Sequence, residues 1–171
     1  NGAAGFGQVC GFVAALAELE RTPVAIWVRM VPHAYPLLES LHILGIGMLI
    51  GGAIVVDLRL MGLGGGHVPV TMVTRNVLPL CFIGFAAAAI SGGLMFTGIA
   101  RAVGLSAAAP WKLGLILISG VNILIFHFGI YRSVDAWEQA AVPPWPARVA
   151  GALSMISWIG VLVAGRYLAY I

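Results

Sequence analysis

Four long apolar stretches, each closed off by charged residues, dominate the chain. They cover about residues 37–57, 77–100, 112–131 and 149–167. The first ends in Asp57-Leu58-Arg59, the second stops at Arg101, the third runs between Lys112 and Arg132, and the fourth between Arg148 and Arg166. A bilayer core of ~30 Å needs about 20 helical residues, and each stretch suffices. Backbone hydrogen bonds cannot stay open in hydrocarbon, so each predicts a helix. A β-barrel would alternate apolar and polar positions over about ten residues per strand, and no such alternation is present. The expected fold is all-α: a four-helix transmembrane bundle over 37–171, preceded by an interfacial N-terminal segment over 1–36.

Within that segment, Val9 to Glu20 suits a short amphipathic helix. Thr22-Pro23 then supplies a cap and a first-turn proline for a second short helix carrying Trp27 and Arg29, which Pro32 and Pro36 end. Neither piece is long enough to cross, so both are expected to lie in the interface with Trp27 as an anchor. Four spans place both termini on one side, called side A; the Gly62 to Gly66 and Val142 to Pro146 stretches read as loops on the opposite side B. No basic run precedes the first apolar stretch, so no signal peptide is expected.

Composition turns this reading into an exclusion. Of 171 residues 61% are hydrophobic and 9% charged, with mean hydropathy +1.03. A soluble domain carries roughly 25% charged residues, so the surface is expected to face lipid. The net charge of +3 does not point to nucleic acid, because the nine basic residues stand singly at the ends of apolar runs rather than on one face. Arg21, Arg29, Arg101, Lys112 and Arg166 fall on side A; Arg59, Arg75, Arg132 and Arg148 fall on side B. That near balance barely biases the positive-inside rule; the expectation drawn is cytoplasmic termini. Cys10 and Cys81 form no CxxC motif, and no disulfide is expected.

Ionisable residues inside a span are costly, and each is a functional candidate. At about 100° per residue, Glu39, His42 and Asp57 fall within an arc of roughly 60° on the first span, and Lys112, Ser119 and His127 within roughly 80° on the third. Each helix therefore carries one polar stripe, and the stripes are expected to meet inside the bundle. One reading is a structural ion-pair network of Glu39, Lys112, Asp57, Arg59 and Arg132. The other is cofactor or metal binding by the intramembrane histidines His42 and His127, the usual type of axial ligand of haem b. A single haem shared by both is disfavoured, since their depths differ by roughly 13 Å along parallel helices. Separate sites would recruit His33 or Met95 beside His42, and Met155 or His67 beside His127. Lys112 and Arg166 could serve haem propionates, a quinone-like headgroup or bound lipid, or simply reach lipid phosphate. Gly45 and Gly52 lie on the His42 face, Gly47 and Gly51 form a GxxxG, and Gly92-Gly93 sit in the second span; close helix packing is their commoner use. No hydrolase, nucleotide-binding or zinc-protease motif occurs.

The stretches Leu41-His42-Ile43-Leu44-Gly45, Asp57-Leu58-Arg59-Leu60-Met61-Gly62, Phe126-His127 and Gly165-Arg166-Tyr167 together resemble an uncharacterised family of bacterial four-helix membrane proteins, known as a domain of unknown function. The resemblance runs from about Leu19 to Tyr170 and marks Glu39, His42, Asp57, Arg59, Lys112, His127 and Arg166 as matching positions. It departs from the family at His33, where an aromatic residue is expected, and at Phe128, where a basic one is more familiar. It implies a bacterial inner-membrane location and no particular activity. The function expected is a non-catalytic membrane subunit that anchors or braces a larger complex, such as a respiratory or photosynthetic one, with other membrane-protein subunits and the lipid bilayer as partners. The alternatives are a small b-type cytochrome passing electrons through haem held by His42 and His127, and a proton-coupled or metal transporter.

Overall fold

Two short helices lead into the first span. In the computed structural model, which describes residues 2–63, 68–140 and 142–168, α1 spans Gly2–Leu19 and α2 spans Pro23–Met30. Thr22 caps α2 as its sequence predicts: its hydroxyl accepts the Ala25 N–H at 3.3 Å, and Pro23 occupies the first turn, where a missing N–H costs nothing. His33 then takes φ +69°, a left-handed turn, and α3 (Ala34–Leu60) begins immediately after it. Pro36 thus lies inside α3 rather than before it, because the N–H groups of a first turn have no helical acceptor to lose.

The other spans also start earlier than hydropathy indicates. α4 (Val70–Gly98) takes Arg75 into the helix ahead of the expected start at 77. After the short α5 (Ala100–Gly104), α6 runs Ala108–Phe128 and α7 Trp145–Leu168. Trp145 and Pro146, expected in a loop, instead open α7, since proline suits a first turn. α6 stops before the expected 131 because of Gly129: a Cβ there would lie 2.6 Å from the Ile125 carbonyl oxygen. The chain continues as a 3₁₀ segment, Ile130–Ala136. The His67 end of the glycine loop lies outside the described residues. With four helices of 27, 29, 21 and 24 residues long and apolar enough to span a bilayer, the chain is an integral membrane protein with an all-α bundle fold.

Helix order in space differs from order in sequence. α3 packs along α4 on one side and against α7 on another, and α6 packs on α7, so the row α4–α3–α7–α6 is left open between α4 and α6. The α3–α4 seam is the tightest. Buried positions on α4 step by three, four or seven residues through Thr74, Cys81, Gly84, Ala88, Ser91 and Gly98, and those on α3 by seven through Gly45, Gly52 and Arg59. A seven-residue repeat is the signature of a left-handed helix pair. Glycine brings the backbones together: a Cβ on Gly84 would lie 2.6 Å from the Gly45 carbonyl oxygen, and one on Gly52 would lie 2.5 Å from Cys81 Sγ. Gly47 and Gly51, by contrast, face open space. Trp158 joins the two halves, with Ile50 and Leu49 of α3 and Leu115 and Ile116 of α6 around it. A second apolar cluster, Leu60, Val70, Val134 and Ala147, closes side B.

Candidate functional site

His42 is held in the α3–α4 seam. Its Nδ1–H donates to the Ala88 carbonyl at 2.8 Å, and the Ser91 hydroxyl lies 3.2 Å from the same nitrogen. Gly92 makes room for the ring, since a Cβ there would lie 2.7 Å from Cε1. The ring is half-buried and within electrostatic reach of Glu39 and Lys112. Fixing Nδ1 to a carbonyl leaves Nε2 as the free nitrogen, the orientation found in imidazoles that bind metals. Among the described residues, however, no three His, Cys, Asp or Glu side chains converge on a common point.

Asp57 and Arg59 organise side B. Both are buried, at 4% and 3% exposure, which makes their partners decisive. Arg59 turns two of its guanidinium nitrogens to backbone: Nε donates to the Val68 carbonyl at 2.7 Å, and Nη2 to those of Glu138 and Ala140 at 3.0 and 3.3 Å, while the buried Nη1 has no hydrogen-bond partner among the described residues. One side chain on α3 thereby ties the entry to α4 to the connection between α6 and α7. The same connection is fixed to α4 by the Val70 N–H on the Glu138 carbonyl and by the Thr71 hydroxyl on the Glu138 carboxylate. The Asp57 carboxyl meets the Ser154 hydroxyl of α7, while its Oδ2 has no hydrogen-bond partner. Gly151 lets α7 approach here, a Cβ on it lying 3.0 Å from the Asp57 carbonyl oxygen. Asp57 is therefore a carboxyl buried at a helix interface with an unspent acceptor.

Side A is clamped by a buried acid. Glu20, in the turn after α1, receives the Arg101 backbone N–H on Oε1 and the Arg101 Nε–H on Oε2, both at 2.8 Å. Arg29 adds bonds from Nη2 to the Glu20 carbonyl at 2.6 Å and from Nη1 to the Gly98 carbonyl at 3.4 Å. The Arg101 backbone N–H, then its guanidinium, hold the Glu20 carboxyl below the usual carboxylate range. A depressed pKa stabilises the fold above the ordinary carboxylate value, and that contribution fades as pH falls through the lowered one. Protection of the α1 amides, taken relative to their intrinsic exchange rate at each pH, is accordingly expected to fall as pH drops below about 4, and in Glu20→Gln to be low already at neutral pH and to change little on acidification.

The residues singled out in the sequence are thus dispersed. His42 and His127 occupy opposite ends of the bundle, and His127 is exposed, stacked on Tyr131 at 5.1 Å between ring centres. The two polar stripes do not pack face to face, because α7 stands beside α3 where α6 was expected. Lys112 approaches Gly165 of α7, while Glu39 and Arg132 are exposed, as is Arg166 in the last turn of α7. None of the ion pairs among the described residues joins two members of the expected network. Among the described residues the ion pairs are Glu18–Arg21 and Glu20–Arg101, and Arg59 has turned to carbonyls that the loops leave unpaired. His33 is an exposed turn residue nine positions before His42. Sequence reasoning passed over Glu20, Ser91, Ser154 and Asn122, whose Nδ2–H donates to the Ala150 carbonyl at 2.9 Å and ties α6 to α7. The repeat of small residues on α4 was the signal that could have found Ser91.

No curated protein and no solved structure matches the chain. Residues 33–171 match the family of unknown function DUF6644, so the match takes in all four spans and leaves α1 and α2 outside it. The chain belongs to that family.

Proposed function

We propose that the protein is a membrane subunit that anchors or braces a larger complex, docking a partner's transmembrane helix along the outer face of α3. The observation that carries this reading is the exposed Gly47/Gly51 pair. Both glycines have open space where a Cβ would project, one turn apart on the helix at the middle of the row, flanked by exposed Leu44 and Val55. Hydrocarbon gives no reward for glycine on a lipid-facing surface, whereas a small-xxx-small pair lets a second helix approach closely. Polar side chains serve packing within the chain, since His42 Nδ1, Arg59 Nε and Asn122 Nδ2 donate to backbone carbonyls. A haem held by His42 and His127 has less support, with one ring inside a seam and the other on the outer surface at the far end.

The test is native-gel migration of the protein extracted from its own membranes in mild detergent. An assembly larger than the monomer is expected, reduced to the monomer by Gly47→Ile and Gly51→Ile but not by Gly93→Ile, which also enters open space but on α4. Monomeric wild type, or an assembly indifferent to Gly47 and Gly51, would overturn the proposal.

A further inference from the structure

Three arginines from three separate elements line one cleft at the side A end of the bundle. Arg21 follows α1, Arg29 belongs to α2 and Arg101 to α5, and with Ala17 and Glu20 they surround a space of about 230 Å³. Glu20 does not neutralise it: both its carboxylate oxygens are taken by Arg101, through the backbone N–H and Nε. Arg29 is held in place by neutral carbonyls, which fix its position without cancelling its charge. Among the described residues the terminal nitrogens of Arg101 have no hydrogen-bond partner, and its side chain is 58% exposed. Arg21 is itself paired with Glu18 at 2.8 Å in an exposed contact, so the cleft offers an excess of one positive charge, that of Arg29, and a preset guanidinium fork.

We infer that this cleft binds the phosphate headgroup of an anionic phospholipid. Guanidinium groups match the oxygens of a phosphate in geometry and are weakly hydrated, so they give up water readily to bind it. Depth selects a lipid over free phosphate: Arg29 touches Gly98, the last residue of the α4 span, which places the cleft at the boundary where headgroups lie. The neighbouring surface of α2 exposes Ile26, Trp27 and Met30, an apolar flank for acyl chains beside the charged pocket. The match to the family begins at His33, so Arg21 and Arg29 come from the part of the chain outside it.

The test is lipid retention by the full chain in a neutral detergent, read by native mass spectrometry with phosphatidylglycerol and phosphatidylcholine as probes. The wild type is expected to retain one phosphatidylglycerol in preference to phosphatidylcholine, with the preference falling as salt rises. Arg21→Gln should weaken retention about fivefold, the worth of one basic residue at an anionic surface. Arg101→Lys, which keeps a charge beside Glu20, should weaken it through loss of the fork, and Arg132→Gln on side B should leave it unchanged. Equal retention of the two lipids overturns the inference, as does an undiminished preference in Arg21→Gln and Arg101→Lys together. Phosphate ion binding in the cleft with no lipid preference overturns the lipid as occupant.

Discussion

Gly84→Val is expected to separate α3 from α4 and abolish the native bundle. A Cβ at this position would lie 2.6 Å from the Gly45 carbonyl oxygen, 2.7 Å from the Leu49 nitrogen and 2.8 Å from Met48 Cβ. None of these atoms is the far end of a flexible side chain, so relief requires moving a whole helix. Overpacking a tight core costs about 1–3 kcal/mol and sometimes more, and contact with rigid backbone places this site at the upper end. Alanine makes the argument sharper. Intrinsic propensity favours Ala over Gly in a helix by about 1 kcal/mol, yet Gly84→Ala should destabilise, while Gly47→Ala, entering open space, should not. Gly45 faces Gly84 reciprocally, its Cβ position 2.7 Å from the Gly84 carbonyl oxygen. Once one replacement has pushed the helices apart, the second costs little more, so the double variant is expected to be clearly less than additive. Thermal unfolding in detergent, followed by circular dichroism, checks the sign and the coupling. Equal stability of Gly84→Ala and wild type would refute the close approach.

Arg59→Leu has the second-largest expected effect. The substitution keeps an apolar side chain in the buried position but leaves the Val68, Glu138 and Ala140 carbonyls without the donor that satisfies them. A buried polar group stripped of its partner costs about 1–3 kcal/mol. The Glu138 carbonyl retains the Val70 N–H, so the loss falls mainly on the other two and is expected to total about 3 kcal/mol. Its signature is local before it is global. The connection between α6 and α7 should become susceptible to protease while α3 and α4 stay paired, because their glycine seam does not depend on Arg59. Arg59→Lys should recover only part of the stability, since an ammonium cannot reach carbonyls on both sides of a planar fork. Limited proteolysis of membrane vesicles opened on side B tests this, and an unaltered cleavage pattern in Arg59→Leu would remove the tie from the account.

The contrast between two pairs of glycines shows where sequence reading stops. Gly45/Gly52 and Gly47/Gly51 lie on the same helix with similar neighbours, yet the first pair is buried against α4 and the second is bare. In a water-soluble helix the polar face would mark the outside. Here the outside is as apolar as the inside, so hydropathy separates spans from loops but does not orient a span about its own axis. The polar stripes misled for a related reason. His42 points into α4 and Asp57 toward α7 although they share an arc on α3, because α3 is wrapped by neighbours on both sides. Arg59 was legible as a buried charge but not as a carbonyl binder, since its targets lie up to 81 positions away in the chain.

Span number, helical character, the Thr22–Pro23 helix start and the lipid-facing exterior follow from local composition, because hydrocarbon penalises every unpaired backbone group wherever it occurs. Neighbour order, the choice among glycines and the partners of His42, Asp57 and Arg59 came from the assembled bundle. Those depend on atoms meeting across helices at separations of a few ångströms, where one carbonyl or one missing Cβ outweighs any average property of the segment that carries it.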